Sequence, residues 1–108
     1  MPKPFSILTQ PATIEQEIKK SRFIASAIII DSKESALRFI KEIKALHKTA
    51  THNCWAYIVG NPQGAHLGMS DDGEPHGTAG RPMLSYLQHN AIGNIAVVVT
   101  RYSSGIKL

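Results

Sequence analysis

The sequence predicts a small, two-layer α+β domain in which a mostly antiparallel sheet carries helices on one face. Short runs of β-branched and apolar residues indicate strands, and two longer segments with apolar residues at three- and four-residue steps indicate helices. Turn-forming residues separate these segments and give the order strand, strand, helix, strand, strand, helix, strand. At 108 residues the chain has the length of a single domain.

The first half of the chain predicts an extended lead-in, a β-hairpin and a helix. Prolines near the N-terminus disfavour regular structure there. Asp31 or Ser32 can accept hydrogen bonds from the first amides of the helix. Ala36, Ile40 and Ile43 then recur on one helix face. The predicted bounds are 1–12 for the lead-in, 13–18 and 22–30 for the strands with a turn at 19–21, and 31–46 for the helix.

The second half predicts two strands, a turn-rich segment, a helix and a last strand. In the strand at 52–59 apolar residues occupy both faces, which is typical of a central strand. A short return strand is expected at 65–70. Pro82 suits the first turn of a helix that begins near Arg81, because an amide hydrogen is not needed there. Residues 95–100 form the most β-prone run of the chain.

Composition limits the class of protein. Cys54 is the one cysteine, which excludes an intramolecular disulfide. The N-terminal residues lack the apolar core of a signal peptide, and no apolar run is long enough to cross a bilayer, so we expect a cytoplasmic protein. Lys and Arg number 12 against 8 Asp and Glu, for a formal net charge of +4. This balance favours nucleic acid or an acidic protein as a partner.

The segment 70–82 contains the most informative motif. Its last part runs into the predicted helix N-terminus, where unpaired amides favour an anion, and Arg81 would add a bidentate donor. The alternative is an ordinary glycine-rich turn with Thr78 as the helix cap, since the motif lacks a P-loop ending. The candidate anion- or nucleic-acid-binding residues are Arg22, Gly77, Thr78, Gly80, Arg81 and Arg101.

The acidic residues Asp71, Asp72 and Glu74 allow a different hypothesis. Hard cations prefer several oxygen ligands, so these carboxylates could hold a metal beside the helix N-terminus in an enzyme for a phosphorylated substrate. The spacing is not that of an EF-hand, and Asp-Gly is above all a turn former. We therefore expect neither a metal nor a cofactor, and we assign no catalytic residue. Binding is favoured over catalysis.

His52 and Cys54 lie two positions apart on a predicted strand and so point to the same side. They could contribute to a zinc site or to a Cys–His catalytic pair. No accompanying ligand spacing supports either site, and a buried cysteine behaves as a small apolar residue. Packing in the core is the favoured interpretation.

Four blocks of the sequence together resemble one known family. They are EIKKSRFI at 17–24, HNCWAY at 52–57, SDDGEP with GTAGRP at 70–82, and VVTRY at 98–102. In this order they resemble the N-terminal domain of the Impact family, in its bacterial YigZ-like branch. The resemblance covers about residues 13–108, and the acidic and glycine-rich block is its most specific part.

The resemblance implies a fold like the second domain of a small-subunit ribosomal protein. It also implies a binding role in translation control, through RNA, the ribosome or a translation factor. Residues 13–108 would then be an Impact N-terminal-type domain that is incomplete at its C-terminus, without the second, ferredoxin-like domain of bacterial relatives. An incomplete domain would expose apolar sheet surface, so a homo-oligomer is a further expectation.

Overall fold

The computed structural model describes residues 4–103 and contains seven elements in the predicted order. They are β1 Ala12–Ile18, β2 Ser21–Ile29, α1 Lys33–Leu46, β3 His52–Ile58, β4 Leu67–Ser70, α2 Gly80–His89 and β5 Ile95–Ser103. The α+β class is therefore confirmed. The ends of the predicted lead-in and domain, at 1–3 and 104–108, lie outside the described residues.

All five strands belong to one antiparallel sheet with the order β1-β2-β5-β3-β4. The last strand in the sequence, β5, lies at the centre, where Val98 stands opposite Ser26 of β2 and Trp55 of β3. Val98 is completely buried. The edge strand β1 pairs with β2, and all seven of its residues are exposed.

The two helices cover opposite faces of the sheet, which corrects the prediction that both lie on one face. Ala36 and Ile40 of α1 pack with Tyr57, whereas Leu84 of α2 packs with Ala56. Consecutive strand residues point to opposite faces, so Tyr57 and Ala56 of β3 are buried by different helices. The strand that is apolar on both faces is buried between the two helices. We call these surfaces the α1 face and the α2 face.

Local sequence explains where the helices begin. The amide of Ser35 donates to the hydroxyl oxygen of Ser32 at 3.0 Å, and the amide of Ser32 donates back to Ser35 at 3.1 Å. This capping box confirms Ser32 as the N-cap of α1.

Neither helix in the described part of the chain is long and apolar enough to cross a membrane.

The lead-in is fixed to the rest of the domain. Ser6 makes an isolated parallel bridge to Ile92, with its amide donating to the Ala91 carbonyl at 2.8 Å. The amide of Gly93 donates back to the Ser6 carbonyl at 3.0 Å. The lead-in therefore docks on the connection between α2 and β5.

Candidate functional site

Residues 71–79, which we call the acidic loop, connect β4 to α2. The carboxylate of Asp71 lies at the start of the helix and accepts three amide hydrogen bonds. Its Oδ1 accepts from Gly80 at 2.7 Å and Ala79 at 3.0 Å, and its Oδ2 accepts from Gly77 at 2.8 Å. These bonds, that of the Gly80 amide first, lower the pKa of Asp71. The anion at this helix N-terminus is thus one of the chain's own carboxylates.

This arrangement bears on the residues that were predicted to bind an anion. An external phosphate at Gly77 and Gly80 would have to displace Asp71, so their role with an outside ligand stays a prediction. The side chain of Thr78 does not cap α2, and that alternative is wrong: the N-cap position belongs to Ala79, and Asp71 supplies the acceptor. Thr78 instead donates its hydroxyl to the Pro75 carbonyl.

The other acidic side chains of the loop have different partners. Asp72 accepts from the amide of Asn53 at 2.7 Å, whereas both oxygens of Glu74 accept from Nη1 of Arg101, at 2.9 and 3.0 Å. The three predicted carboxylates therefore do not converge on one point. Within residues 4–103 no group of three or more His, Cys, Asp or Glu side chains is arranged to hold a metal.

His52 and Cys54 both join β3 to the acidic loop. Nδ1 of His52 lies 2.7 Å from the carbonyl oxygen of Asp72, and the thiol of Cys54 donates to the carbonyl of Asp71 at 3.1 Å. Burial raises the pKa of the Cys54 thiol to about 11. The thiol is therefore protonated at neutral pH and is a poor nucleophile. Its buried position agrees with the predicted packing role.

Two arginines are held on aromatic rings at the same end of the central strands. Arg22 stands opposite Tyr102, and Arg101 stands opposite Phe23. The guanidinium carbon of Arg22 lies 5.4 Å from the Tyr102 ring centre, and that of Arg101 lies 5.7 Å from the Phe23 ring centre. Arg22 is on the α1 face, where it hydrogen-bonds Glu15, and Arg101 is on the α2 face. Strand pairing has thus produced two similar arginine–aromatic contacts on opposite faces.

An open cavity of about 540 Å³ lies between the sheet and the start of α2 on the α2 face. We call it the apolar cavity, because Phe23, Cys54, Val99, Pro82 and Met83 form much of its lining. Arg101 and Glu74 add the charged groups.

A second cavity, of about 470 Å³, lies at the turn between β1 and β2 and was missed by sequence reasoning. We call it the turn cavity; it is lined by Lys19, Lys20, Ser21, Thr51, His52, Arg101 and Ser103. These residues come from three distant segments, and strand register brings them together by pairing Ser21 with Ser103 and His52 with Arg101. The adjacent lysines in a short turn were the signal available in the sequence.

The predicted binding residues are therefore only partly brought together. Arg101 lines both cavities, and Arg22 is one position along the sheet from it. Arg81 is exposed in the first turn of α2 and lines neither of these two cavities.

Comparison with known sequences identifies the family. The model of the Impact N-terminal domain matches residues 19–108. The chain is 48% identical over 99 residues to the IMPACT family member YigZ of Escherichia coli K12, covering 91% of this chain and 48% of that protein. It is 52% identical over 95 residues to an IMPACT family member of Haemophilus influenzae, covering 87% of this chain and 46% of that protein. The chain thus spans about half the length of these relatives.

Solved structures give the same result. A crystal structure described as that of a hypothetical protein matches with a TM-score of 0.88 and 46% identity, over 94% of this chain and 50% of that one. The two-domain translational regulator Yih1 matches with a TM-score of 0.61 and 26% identity, over 90% of this chain and 37% of that one. The resemblance of the sequence blocks is confirmed, and the chain belongs to the Impact family through its N-terminal domain.

Proposed function

We propose that this chain is a binding module of translation control that works in the cytoplasm by contacting RNA of the translation machinery. Membership of the Impact family supports the translation role, as does the similarity to Yih1, which is described as a translational regulator. The formal net charge of +4 supports a polyanionic partner.

The observation that carries the proposal is the pair of arginines fixed on aromatic rings. A guanidinium already restricted by a ring and a carboxylate loses little conformational freedom when it binds a phosphate. Arg101 uses Nη1 for Glu74 and Nε for Ser21, at 3.4 Å, so Nη2 can donate to a ligand. Arg22 is half-exposed beside the same end of the sheet. Both arginines are therefore prepared for phosphate contact.

The acidic loop supports binding rather than catalysis. Asp71 and Asp72 accept hydrogen bonds from backbone amides, and Glu74 pairs with Arg101. The contacts of Asp72 and Glu74 fix the loop against β3 and β5, and those of Asp71 fix it at the start of α2. We propose that the loop positions Arg101 and shapes the apolar cavity. We also propose that Arg81, which is exposed in the first turn of α2, adds a contact to the RNA outside this cavity.

Fluorescence anisotropy with labelled structured RNA, single-stranded RNA and duplex DNA, at low and near-physiological salt, tests the proposal. We expect RNA binding that survives the higher salt. The variant Arg22→Gln should weaken it several-fold and reduce the slope of log affinity against log salt by about 1. Lys33→Gln is the matched control, because Lys33 lines a different cavity with Tyr57 and Val59. Equal binding to all three nucleic acids that salt abolishes would contradict the proposal.

We also propose that the chain can form a homo-oligomer through the α2 face of β1. Ile14 and Ile18 are four positions apart on this edge strand, so their side chains lie on the same face. Their exposed fractions are 67% and 48%. Exposed apolar side chains on one face of a strand favour contact with a second copy through that face.

A further inference from the structure

We propose that the turn cavity binds a phosphate group of RNA. This inference rests on the proposed function and deepens it by naming a site for the phosphate. The cavity is separate from the helix N-terminus, where Asp71 already occupies the amides.

The lining of the turn cavity is rich in hydrogen-bond donors. Lys19, Lys20 and Arg101 line the cavity and carry positive charge, and the carboxylate of Glu74 pairs with Arg101 at 2.9 Å from outside the lining. Phosphate oxygens accept hydrogen bonds and carry negative charge, so this combination of groups matches them. A volume of about 470 Å³ is ample for a phosphate and part of the nucleotide that carries it.

Hydroxyl groups complete the set of donors. The amide of Ser103 donates to the hydroxyl oxygen of Thr51 at 3.1 Å, which leaves the hydroxyl hydrogen of Thr51 to donate elsewhere. The hydroxyls of Ser21 and Ser103 lie 3.5 Å apart and can share one hydrogen, so another remains for a ligand. The cavity therefore offers neutral donors beside its cations.

His52 has a defined orientation in this cavity. Its Nδ1 lies 2.7 Å from the carbonyl oxygen of Asp72, and because a carbonyl can only accept, Nδ1 carries the hydrogen. Nε2 lies on the opposite side of the ring, 4.0 Å from Glu74. Glu74 itself is paired with Arg101, so the nearby acid holds the cation in place.

The backbone conformation of the turn is unusual for the residues that occupy it. Lys19 and Lys20 connect the paired residues Ile18 and Ser21, and both have positive φ, of 48° and 67°. A two-residue hairpin turn with two positive φ angles strongly favours Asn-Gly. Lysine is disfavoured in this conformation, and strained residues of this kind concentrate at binding sites. The presence of two lysines in this conformation therefore agrees with a role for their side chains in the cavity.

Because the turn conformation favours Asn-Gly over two lysines, one double variant can change stability and RNA binding in opposite directions. The double variant Lys19→Asn, Lys20→Gly should raise the melting temperature by about 3 °C, because it relieves the backbone. The same variant should bind RNA about 10-fold more weakly, because two cations leave the cavity. The control Lys19→Arg, Lys20→Arg keeps both charges and should bind within about 2-fold of the original chain. Unchanged RNA affinity in the Asn-Gly variant would overturn the proposal.

Inorganic phosphate tests the cavity directly. In ¹H–¹⁵N NMR spectra, we expect saturable shifts of the Ser21, Thr51 and Ser103 amides with phosphate but not with chloride at equal ionic strength. The shifts should disappear in the Asn-Gly variant. Equal shifts with both anions would overturn the cavity as a phosphate site.

The two measurements separate the failure of this inference from failure of the proposed function. RNA binding that is indifferent to the Asn-Gly variant overturns the turn cavity and leaves the proposed function standing. Phosphate shifts without any RNA binding overturn the RNA source and the proposed function together, and they leave a site for free phosphate.

Discussion

Asp71 fixes the start of α2 with one side chain. Because its carboxylate accepts from Gly77, Ala79 and Gly80, its loss would leave the first amides of the helix without a protein acceptor. The variant Asp71→Ala should lower the melting temperature by about 5 °C, as expected for the loss of a helix cap in a domain of this size. Glu42→Ala, at an exposed position of α1, is the control and should change little. An unchanged melting temperature for Asp71→Ala would show that water replaces the carboxylate.

The same contact should make stability depend on pH in a defined direction. The pKa of Asp71 is lowered in the folded chain, so its contribution is complete above the ordinary value of 3.8 and is lost as pH falls through the lower, folded value. The difference in melting temperature between the original chain and Asp71→Ala should therefore be largest near neutral pH and shrink below pH 3.8. Calorimetry over this pH range measures it; a constant difference would contradict the assignment.

Gly93 illustrates a position at which a methyl group has no room. A Cβ there would lie 2.1 Å from the carbonyl oxygen of Gly60 and 2.7 Å from the ring of Phe5. We expect Gly93→Ala to lower the free energy of unfolding by about 3 kcal/mol, since backbone must move. Gly60→Ala is the matched comparison: Gly60 has a φ of +81° but nothing within 4 Å of its Cβ position. Its expected cost is about 1 kcal/mol. Urea unfolding would distinguish the two, and equal costs would contradict this account.

At the scale of elements, α2 packs on the sheet through the apolar side chains of one helix face. Leu84 is buried against Ala56 and Ile58, whereas Tyr86, on the other side of the helix, is 65% exposed. Leu84→Ala should reduce the free energy of unfolding by about 3 kcal/mol. Tyr86→Ala should change it by less than about 0.5 kcal/mol. Comparable losses in urea titrations of the two variants would indicate that the helix packs differently.

Element identity was predictable because local signals agreed with the final fold. Ser32 capped α1 as the sequence suggested, and the β-prone run at 95–100 became the central strand. The prediction that both helices lie on one face of the sheet was wrong. The apolar residues on both faces of β3 already indicated that both faces of the strand are buried. The sequence alone did not show that α1 would pack on one face and α2 on the other.

The candidate site was less predictable for a related reason. Sequence separately indicated an anion-seeking helix N-terminus and a group of acids, yet only the fold showed that Asp71 satisfies the first. The turn cavity depends on the register that sets Ser21 opposite Ser103 and His52 opposite Arg101. Pairing between residues about 80 and 50 positions apart has no local signature in a single sequence.

At the scale of the molecule, β1 lies at the edge of the sheet with all of its residues exposed. The exposed edge strand β1 leads to the prediction of self-association. The weight-average mass from light scattering should rise above 11.8 kDa with concentration. It should stay near that value in the variant Ile14→Thr, Ile18→Thr, because threonine keeps the strand propensity but removes apolar surface. A constant monomeric mass of the original chain at high concentration would contradict the homo-oligomer.

The central place of β5 has a consequence for how the chain acquires its structure. The β1–β2 hairpin and the β3–β4 pair both need β5 as their neighbour, and β5 comes last in the described sequence. During synthesis the two pairs must therefore wait, with apolar surfaces uncovered, until residues 95–103 leave the ribosome. The sheet then closes through contacts between distant parts of the chain, which makes folding slow for a domain of this size. Pairing of β5 with β2 on one side and with β3 on the other joins the two strand pairs into one sheet.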